Sequence, residues 1–293
     1  MKVRLLSSVF LLVFVVMASC TDNDDRNSDY GKLSIDLTDA PFPHDMVAEA
    51  NVTVFKVEAR YKGDMDITLE ENDDVDDDKE TSFVVLMEEE VQVNLLELTN
   101  GITTNLVDVD VPVGTYDLVR VYVKGVNVVL VDGTTYDLKV PSGEQSGIKV
   151  FIKPGIEVSG GLSSDLLLDF DVSKSFVAKG GGKVLADIKG FNFKPVIKAC
   201  NLSTAGTLSG MVSTLQEDLV VGLEGAQVAV FAADTLNTTT FSDADGYYKV
   251  LGLSAGSYDV EVELDGYQIQ TAADIEITAG NKTVQDFDMV VQD

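Results

Sequence analysis

From Leu33 onward the chain keeps a period of two. Leu33, Ile35 and Leu37 alternate with polar residues, as do Val91, Val93 and Leu95, and Val119, Val121 and Val123 alternate with Arg120, Tyr122 and Lys124. Such a period sets every second side chain on one face of an extended strand, so the chain must bury one face of a sheet and wet the other. Enrichment in Val, Thr and Tyr, with turn dipeptides such as Asp132-Gly133 and Ser142-Gly143, points to antiparallel strands. No stretch long enough for a core helix holds a helical period; only Asn94 to Asn100, ended by Gly101, reads as a short helical turn. The fold class expected is all-β, as two β-sandwich domains in tandem.

The first thirty residues obey another rule. Lys2 and Arg4 precede an apolar run from Leu5 to Val16, interrupted only by Ser7 and Ser8 and closed by Met17-Ala18-Ser19-Cys20. A positive start, an apolar core and small residues describe a secretory signal over residues 1–19, and the core is too short for a permanent span. With its cysteine, the closing tetrapeptide resembles the lipobox of bacterial lipoproteins, Met17 standing where Leu is commoner. That resemblance implies a diacylglyceryl group on Cys20 and cleavage before it. One acyl chain binds a bilayer weakly, at about 0.8 kcal/mol per buried methylene, whereas two or more anchor stably. The membrane is thus an expected partner through Cys20, and the chain an expected outer membrane lipoprotein. Residues 20–30 are polar and acidic and read as a tether. Asp22, Asp24 and Asp25 loosely resemble a signal for display on the outer face of some Gram-negative cells; a plain spacer is the alternative.

The chain carries 49 acidic and 21 basic residues, a formal net charge of −28. Such a surface repels nucleic acid, which is excluded as a partner. With Cys20 lipidated only Cys200 remains, so no intrachain disulfide can form and stability must come from packing. A single His44 and the absence of Trp remove His-based triads, multi-His metal centres and Trp sugar platforms. Residues 64–80 concentrate like charge and read as an exposed acidic loop. Asp73, Asp74, Asp76, Asp77 and Asp78 within it could take calcium, although the spacing lacks the Gly and closing Glu of an EF-hand loop. No other cofactor is expected.

Short motifs run through residues 33–197. They are Leu37-Thr38-Asp39-Ala40-Pro41, Asn94-Leu95-Leu96-Glu97-Leu98 with Asn100-Gly101, and Gly114-Thr115-Tyr116 followed by Arg120. Further on come Val140-Pro141-Ser142-Gly143, Gly147-Ile148-Lys149, Asp169-Phe170-Asp171 with Lys174-Ser175, and Pro195-Val196-Ile197. In this order they resemble a family of bacterial lipoprotein domains known as domain of unknown function 4382. The resemblance implies a lipoprotein β-domain over residues 31–200, with the acidic loop as a local insertion, and it brings no settled activity. Asp39, Asp169 and Asp171 together would make a cation or sugar-hydroxyl site, with Arg120 able to pair with one of them. The structural alternative has Asp39 capping a turn before Pro41, Asp169 and Asp171 satisfying backbone donors at a strand end, and Arg120 snorkelling at the surface.

Residues 201–206 are small and polar and read as a linker; Cys200 before them reads as a small buried residue. In residues 207–293, Gly210, Gly225-Ala226, Asp243-Ala244-Asp245-Gly246-Tyr247-Tyr248, Leu253-Ser254-Ala255-Gly256-Ser257-Tyr258 and Asp265-Gly266-Tyr267 resemble the carboxypeptidase regulatory-like domain. That family implies a small transthyretin-like sandwich, beside carbohydrate-binding-like folds, serving as a non-catalytic stalk or accessory module. Asp243-Ala244-Asp245-Gly246 reads as a hairpin turn before it reads as a metal loop. Val113-Gly114-Thr115-Tyr116-Asp117-Leu118 is echoed by Ala255-Gly256-Ser257-Tyr258-Asp259-Val260. Either the two domains share one unit, or similar turn chemistry arose twice.

Two functions fit these features. One is a lipid-anchored envelope or cell-surface protein acting as a non-catalytic binding or adhesion module for a protein or glycan. The alternative is a carbohydrate-binding lipoprotein of a glycan-uptake system, in which Tyr247, Tyr248 and Tyr267 would supply the stacking rings that Trp cannot. A glycosidase needs only two carboxylates about 5–10 Å apart, but no motif sets such a pair in a cleft, so no enzyme is expected.

Overall fold

The computed structural model describes residues 29–40, 46–63, 82–140, 145–180 and 184–292. Cys20 with its lipobox, residues 20–28 of the tether, and the acidic loop 64–80 with Asp73, Asp74, Asp76, Asp77 and Asp78 lie outside the described residues. The regular structure of the described residues is almost entirely strand. The first domain holds β1 (Tyr30–Ala40), β2 (Val47–Lys62), β3 (Ser82–Met87), β4 (Val91–Asn94), β5 (Thr104–Pro112) and β6 (Gly114–Leu130). It continues with β7 (Thr135–Asp137), β8 (Ile148–Val158), β9 (Ser163–Asp171), β10 (Phe176–Gly180), β11 (Ile188–Phe193) and β12 (Ile197–Asn201). One sheet has the order β12-β9-β1-β5; the other runs β3-β2-β6-β7, with β4 on β2 and β8 on β6.

The alternation read from the sequence becomes the core between these sheets. Leu33, Ile35 and Leu37 of β1 and Leu166, Leu168 and Phe170 of β9 pack with Val119, Val121 and Val123 of β6, all at most 2% exposed. Fully burying one such side chain contributes about 1.5–3 kcal/mol. Asn94 ends β4 and caps the expected helical turn, a single 3-10 turn at Leu95–Glu97, by accepting from the Leu96 N–H. Two further helical turns among the described residues are α1 (Val172–Ser175) and a 3-10 turn at Leu185–Asp187.

The second domain holds β13 (Ala205–Gln216), β14 (Leu219–Gly222), β15 (Gln227–Ala232), β16 (Thr235–Phe241), β17 (Tyr247–Ser254) and β18 (Gly256–Glu263), then β19 (Gln270–Ile277), β20 (Lys282–Val284) and β21 (Phe287–Asp288). One sheet is β14-β13-β17 with β20 and β21 on β13; the other is β16-β15-β18-β19. Its own core includes Leu208, Val212, Val228, Val260 and Tyr248.

Strand pairing in the second domain repeats that of the first. β1 pairs antiparallel with β5 and parallel with β9; β13 pairs antiparallel with β17 and parallel with β20 and β21. The series β3-β2-β6-β8 is matched by β16-β15-β18-β19, antiparallel throughout. The echoed tyrosines occupy equivalent places. Tyr116 donates to the Pro112 carbonyl at 2.8 Å, and Tyr258 to the Ser254 carbonyl at 2.9 Å, each four residues upstream. The returning turns match too: Gly161 N–H donates to Tyr30 O and Gly280 N–H to Ala205 O, at 2.9 and 2.8 Å. Two independent turns would not also reproduce this pairing order. The domains are one sandwich unit used twice; β7, the β10–β11 hairpin and β12 are additions to the first copy, and β14 to the second.

One expectation changes. The strands are not all antiparallel, because in each domain the first strand lies beside a late strand that enters from the same end. Residues 201–206 comprise the end of β12, a turn and the start of β13. Asn201 closes that turn, accepting from Ser203 N–H through its side chain and from Thr204 N–H through its carbonyl.

Candidate functional site

β1 and β9 end together, in the register Thr38↔Asp169, Asp39↔Phe170 and Ala40↔Asp171. That register brings the three expected carboxylates to one end of one sheet. Asp171 caps α1: its Oδ1 accepts from Lys174 N–H at 3.0 Å and from the Ser173 hydroxyl at 2.7 Å, and its Oδ2 meets the Lys174 ammonium at 2.7 Å. Burial opposes its charge, yet these partners hold its carboxyl below the usual range. Asp39 is 5% exposed; its Oδ1 accepts from Val172 N–H at 3.1 Å, while its Oδ2 has no hydrogen-bond partner among the described residues. Burial, with the charges of Asp169 and Asp171 behind it, pushes the Asp39 carboxyl well above the usual range.

The same end reaches the second domain. Thr38 Oγ1 lies 3.0 Å from Leu98 O and 2.9 Å from Ile102 O, which ties down the turn between them. At its tip Asn100 and Gly101 take left-handed conformations (φ 57° and 75°). Asn100 Nδ2 donates to the Tyr247 carbonyl at 3.1 Å across the seam, and a Cβ on Gly101 would stand 2.7 Å from the stem of Lys249. Further along, Lys198 donates to the Asn237 carbonyl at 2.6 Å and the Cys200 thiol to the Gly252 carbonyl at 3.1 Å. Burial raises the Cys200 thiol, so it is unreactive packing. Gly252 (φ 73°) lets β17 approach: a Cβ there would meet Leu167 Cδ2 at 3.1 Å. Two cavities lie along this seam, of about 30 Å³ and 150 Å³, and both are lined by Asp169, Thr238 and Leu251.

Arg120 is not part of this end. It lies on β6 in the opposite sheet, with Glu58 and Lys149 as register neighbours. Its guanidinium sits 3.9 Å over the Phe83 ring, with Nε buried and without a hydrogen-bond partner among the described residues. It cannot pair with Asp39, Asp169 or Asp171, because the core separates the sheets. The tyrosines divide. Tyr248 is 1% exposed, donates to the Gln285 carbonyl at 2.5 Å and packs on Phe287, so its ring offers a sugar no open face. Tyr267 packs against the second core, and Tyr247 is 56% exposed. Asp243 accepts from the N–H groups of Asp245 and Tyr247 and makes a turn, but β16 and β17 on either side belong to different sheets, so it is not a hairpin. Among the described residues no three His, Cys, Asp or Glu side chains are placed to hold a metal ion. Sequence reasoning missed Thr240, whose Oγ1 is buried beside the seam without a hydrogen-bond partner among the described residues; a Thr at an alternating strand position reads simply as strand.

A family model described as "Domain of unknown function (DUF4382)" matches residues 30–195, and one described as "Carboxypeptidase regulatory-like domain" matches residues 207–290. Among curated proteins none matches. Among solved structures, the chain is similar to a type II cohesin-X-dockerin complex from Acetivibrio cellulolyticus, at 20% identity over 30% of this chain and 59% of that one, TM-score 0.25. It is also similar to a putative carbohydrate binding protein from Bacteroides uniformis, at 22% identity over 29% of this chain and 41% of that one, TM-score 0.25. A third is a shaft pilin from Lactobacillus rhamnosus GG, at 9% identity over 89% of this chain and 98% of that one, TM-score 0.27. The chain thus spans 59% and 41% of the first two, and likenesses this weak say nothing about function.

Proposed function

Because the chain belongs to the family described as domain of unknown function DUF4382 and joins such a domain to a carboxypeptidase regulatory-like one, we propose that it is a lipid-anchored, non-catalytic binding or adhesion module of the cell envelope. The observation that supports this reading is the direction of β1. It begins at Tyr30, beside the tether from Cys20, and ends at Thr38 and Asp39, beside the turn whose Asn100 grips the second domain. At about 3.3 Å per residue those ends stand about 30 Å apart. An anchor at Cys20 would therefore hold the second domain outward from the bilayer. Cys20→Ser should abolish fatty-acid labelling and release the protein from membranes; a labelled, membrane-bound variant would sink the anchor. Protease shaving of intact cells then separates outward display from a periplasmic face.

A narrower reading, glycan capture, is supported by the Tyr247 ring, open to solvent on the second domain. Binding on a glycan array that Tyr247→Ala removes would sustain it, and an array without signal for the native chain would end it.

A further inference from the structure

Five buried side-chain polar atoms lack a hydrogen-bond partner among the described residues. Three of them, Asp39 Oδ2, Asn100 Oδ1 and Thr240 Oγ1, belong to residues that line the smaller seam cavity. Asp39 and Thr240 are 5% and 2% exposed, so bulk water does not satisfy them. Buried polar atoms in folded proteins are nearly always paired, so three at one small cavity mark a place where something binds. All three are oxygens. Asn100 has its amide hydrogens turned to the Tyr247 carbonyl, so its Oδ1 can only accept. A bound cation would hold Asp39 ionised against the burial that favours its neutral acid, and the carboxylate can then only accept, while the Thr240 hydroxyl can lend a lone pair. Charge points the same way: the lining brings two carboxylates, Asp39 and Asp169, against one ammonium, Lys249, while the Asp171 carboxylate is balanced by Lys174. At about 30 Å³ the cavity admits an ion with a water or two and nothing larger.

We propose that this cavity binds a hard cation of the calcium class through Asp39 Oδ2, Asn100 Oδ1 and Thr240 Oγ1, and so fastens the two domains together. Oxygen donors without His or Cys select such a cation over a transition metal. One carboxylate and two neutral oxygens, completed by water, place the affinity in the weak range of about 10⁻⁴–10⁻³ M. The ligands come from both domains, so binding needs the docked arrangement. The site does not depend on the lipid anchor, and its failure would leave the anchor untouched.

The test is thermal melting of the full chain in millimolar calcium against a chelator, with magnesium and sodium as separate arms. Three variants accompany it. Thr240→Val keeps the side chain's shape, and Asn100→Ala serves should that variant not fold. The third replaces Asp73, Asp74, Asp76, Asp77 and Asp78 together by Asn, removing any calcium response that arises from the acidic loop. Calcium should raise the melting midpoint by a few degrees in the native chain and the loop variant, and leave Thr240→Val and Asn100→Ala unmoved. The proposal is overturned if no cation moves the native midpoint, if Thr240→Val responds like the native chain, or if only the loop variant loses the response.

Discussion

Asp117 sits one residue after the buried Tyr116 and ties neighbouring strands together. Its carboxylate takes a two-pronged grip from Arg60, at 2.7 and 2.9 Å, and a second cation from Lys62 at 2.5 Å. With about a fifth of the side chain exposed, solvent screens this cluster only in part. Burial opposes the charge, but Arg60 and Lys62 together hold the carboxyl below its usual range. A carboxyl lowered by folding contributes stability above its unfolded value, about 3.9, and loses it as pH falls through the lower folded value. Asp117→Asn should therefore cost about 1–2 kcal/mol near pH 7, and the deficit should shrink to nothing as the native carboxyl protonates below about pH 3.9. Urea titrations of both proteins across that range measure it, and a deficit constant with pH would refute the ion-pair origin. The equivalent residue of the second domain, Asp259, makes a different bond, accepting from the Asp274 N–H at 3.0 Å. The repeated unit thus keeps the tyrosine, its turn and the aspartate beside it, while the partner of that aspartate differs.

At the scale of elements, what the sequence made legible is what local chemistry dictates. Leu33, Ile35 and Leu37 announced β1 and its inward face because a one-residue slip would turn all three to water. The glycine-then-tyrosine echo announced β6 and β18 because a tyrosine bonded four residues back needs that turn. Parallel pairing of β1 with β9 was not legible: it joins residues more than a hundred positions apart, and no local signal encodes a distant partner. Turn chemistry misled elsewhere. The β13–β14 hairpin turns on Glu217-Asp218 with φ of 49° and 68°, and Ala233-Asp234 takes 47° and 61° between β15 and β16, where Asn-Gly would have been the readable choice. The carboxylate end was half legible. Asp39, Asp169 and Asp171 stood out as residue types, but their meeting depends on the unread parallel register, and Arg120 was wrongly added because a sequence does not say which sheet a strand joins.

Over the whole molecule, the question is what makes two sandwiches behave as one body. Leu167 is 1% exposed yet belongs to neither core; it is buried in the seam, against Gly252. Cys200, its register neighbour on β12, spends its thiol on the Gly252 carbonyl in the same place. Docking therefore rests on a small apolar contact flanked by the Asn100 and Lys198 hydrogen bonds, while each domain's core stands apart. Leu167→Gln removes the apolar contact and buries an amide there, at a cost of about 1–3 kcal/mol that falls on docking rather than on either core. The variant should still melt cooperatively, because both cores are intact. Its Cys200 should react with a maleimide many times faster than in the native chain, and small-angle scattering should show a larger radius of gyration. If labelling and radius both stay native while the melting midpoint falls by several degrees, Leu167 supports the first sandwich itself. The domains would then be held together by the hydrogen bonds alone.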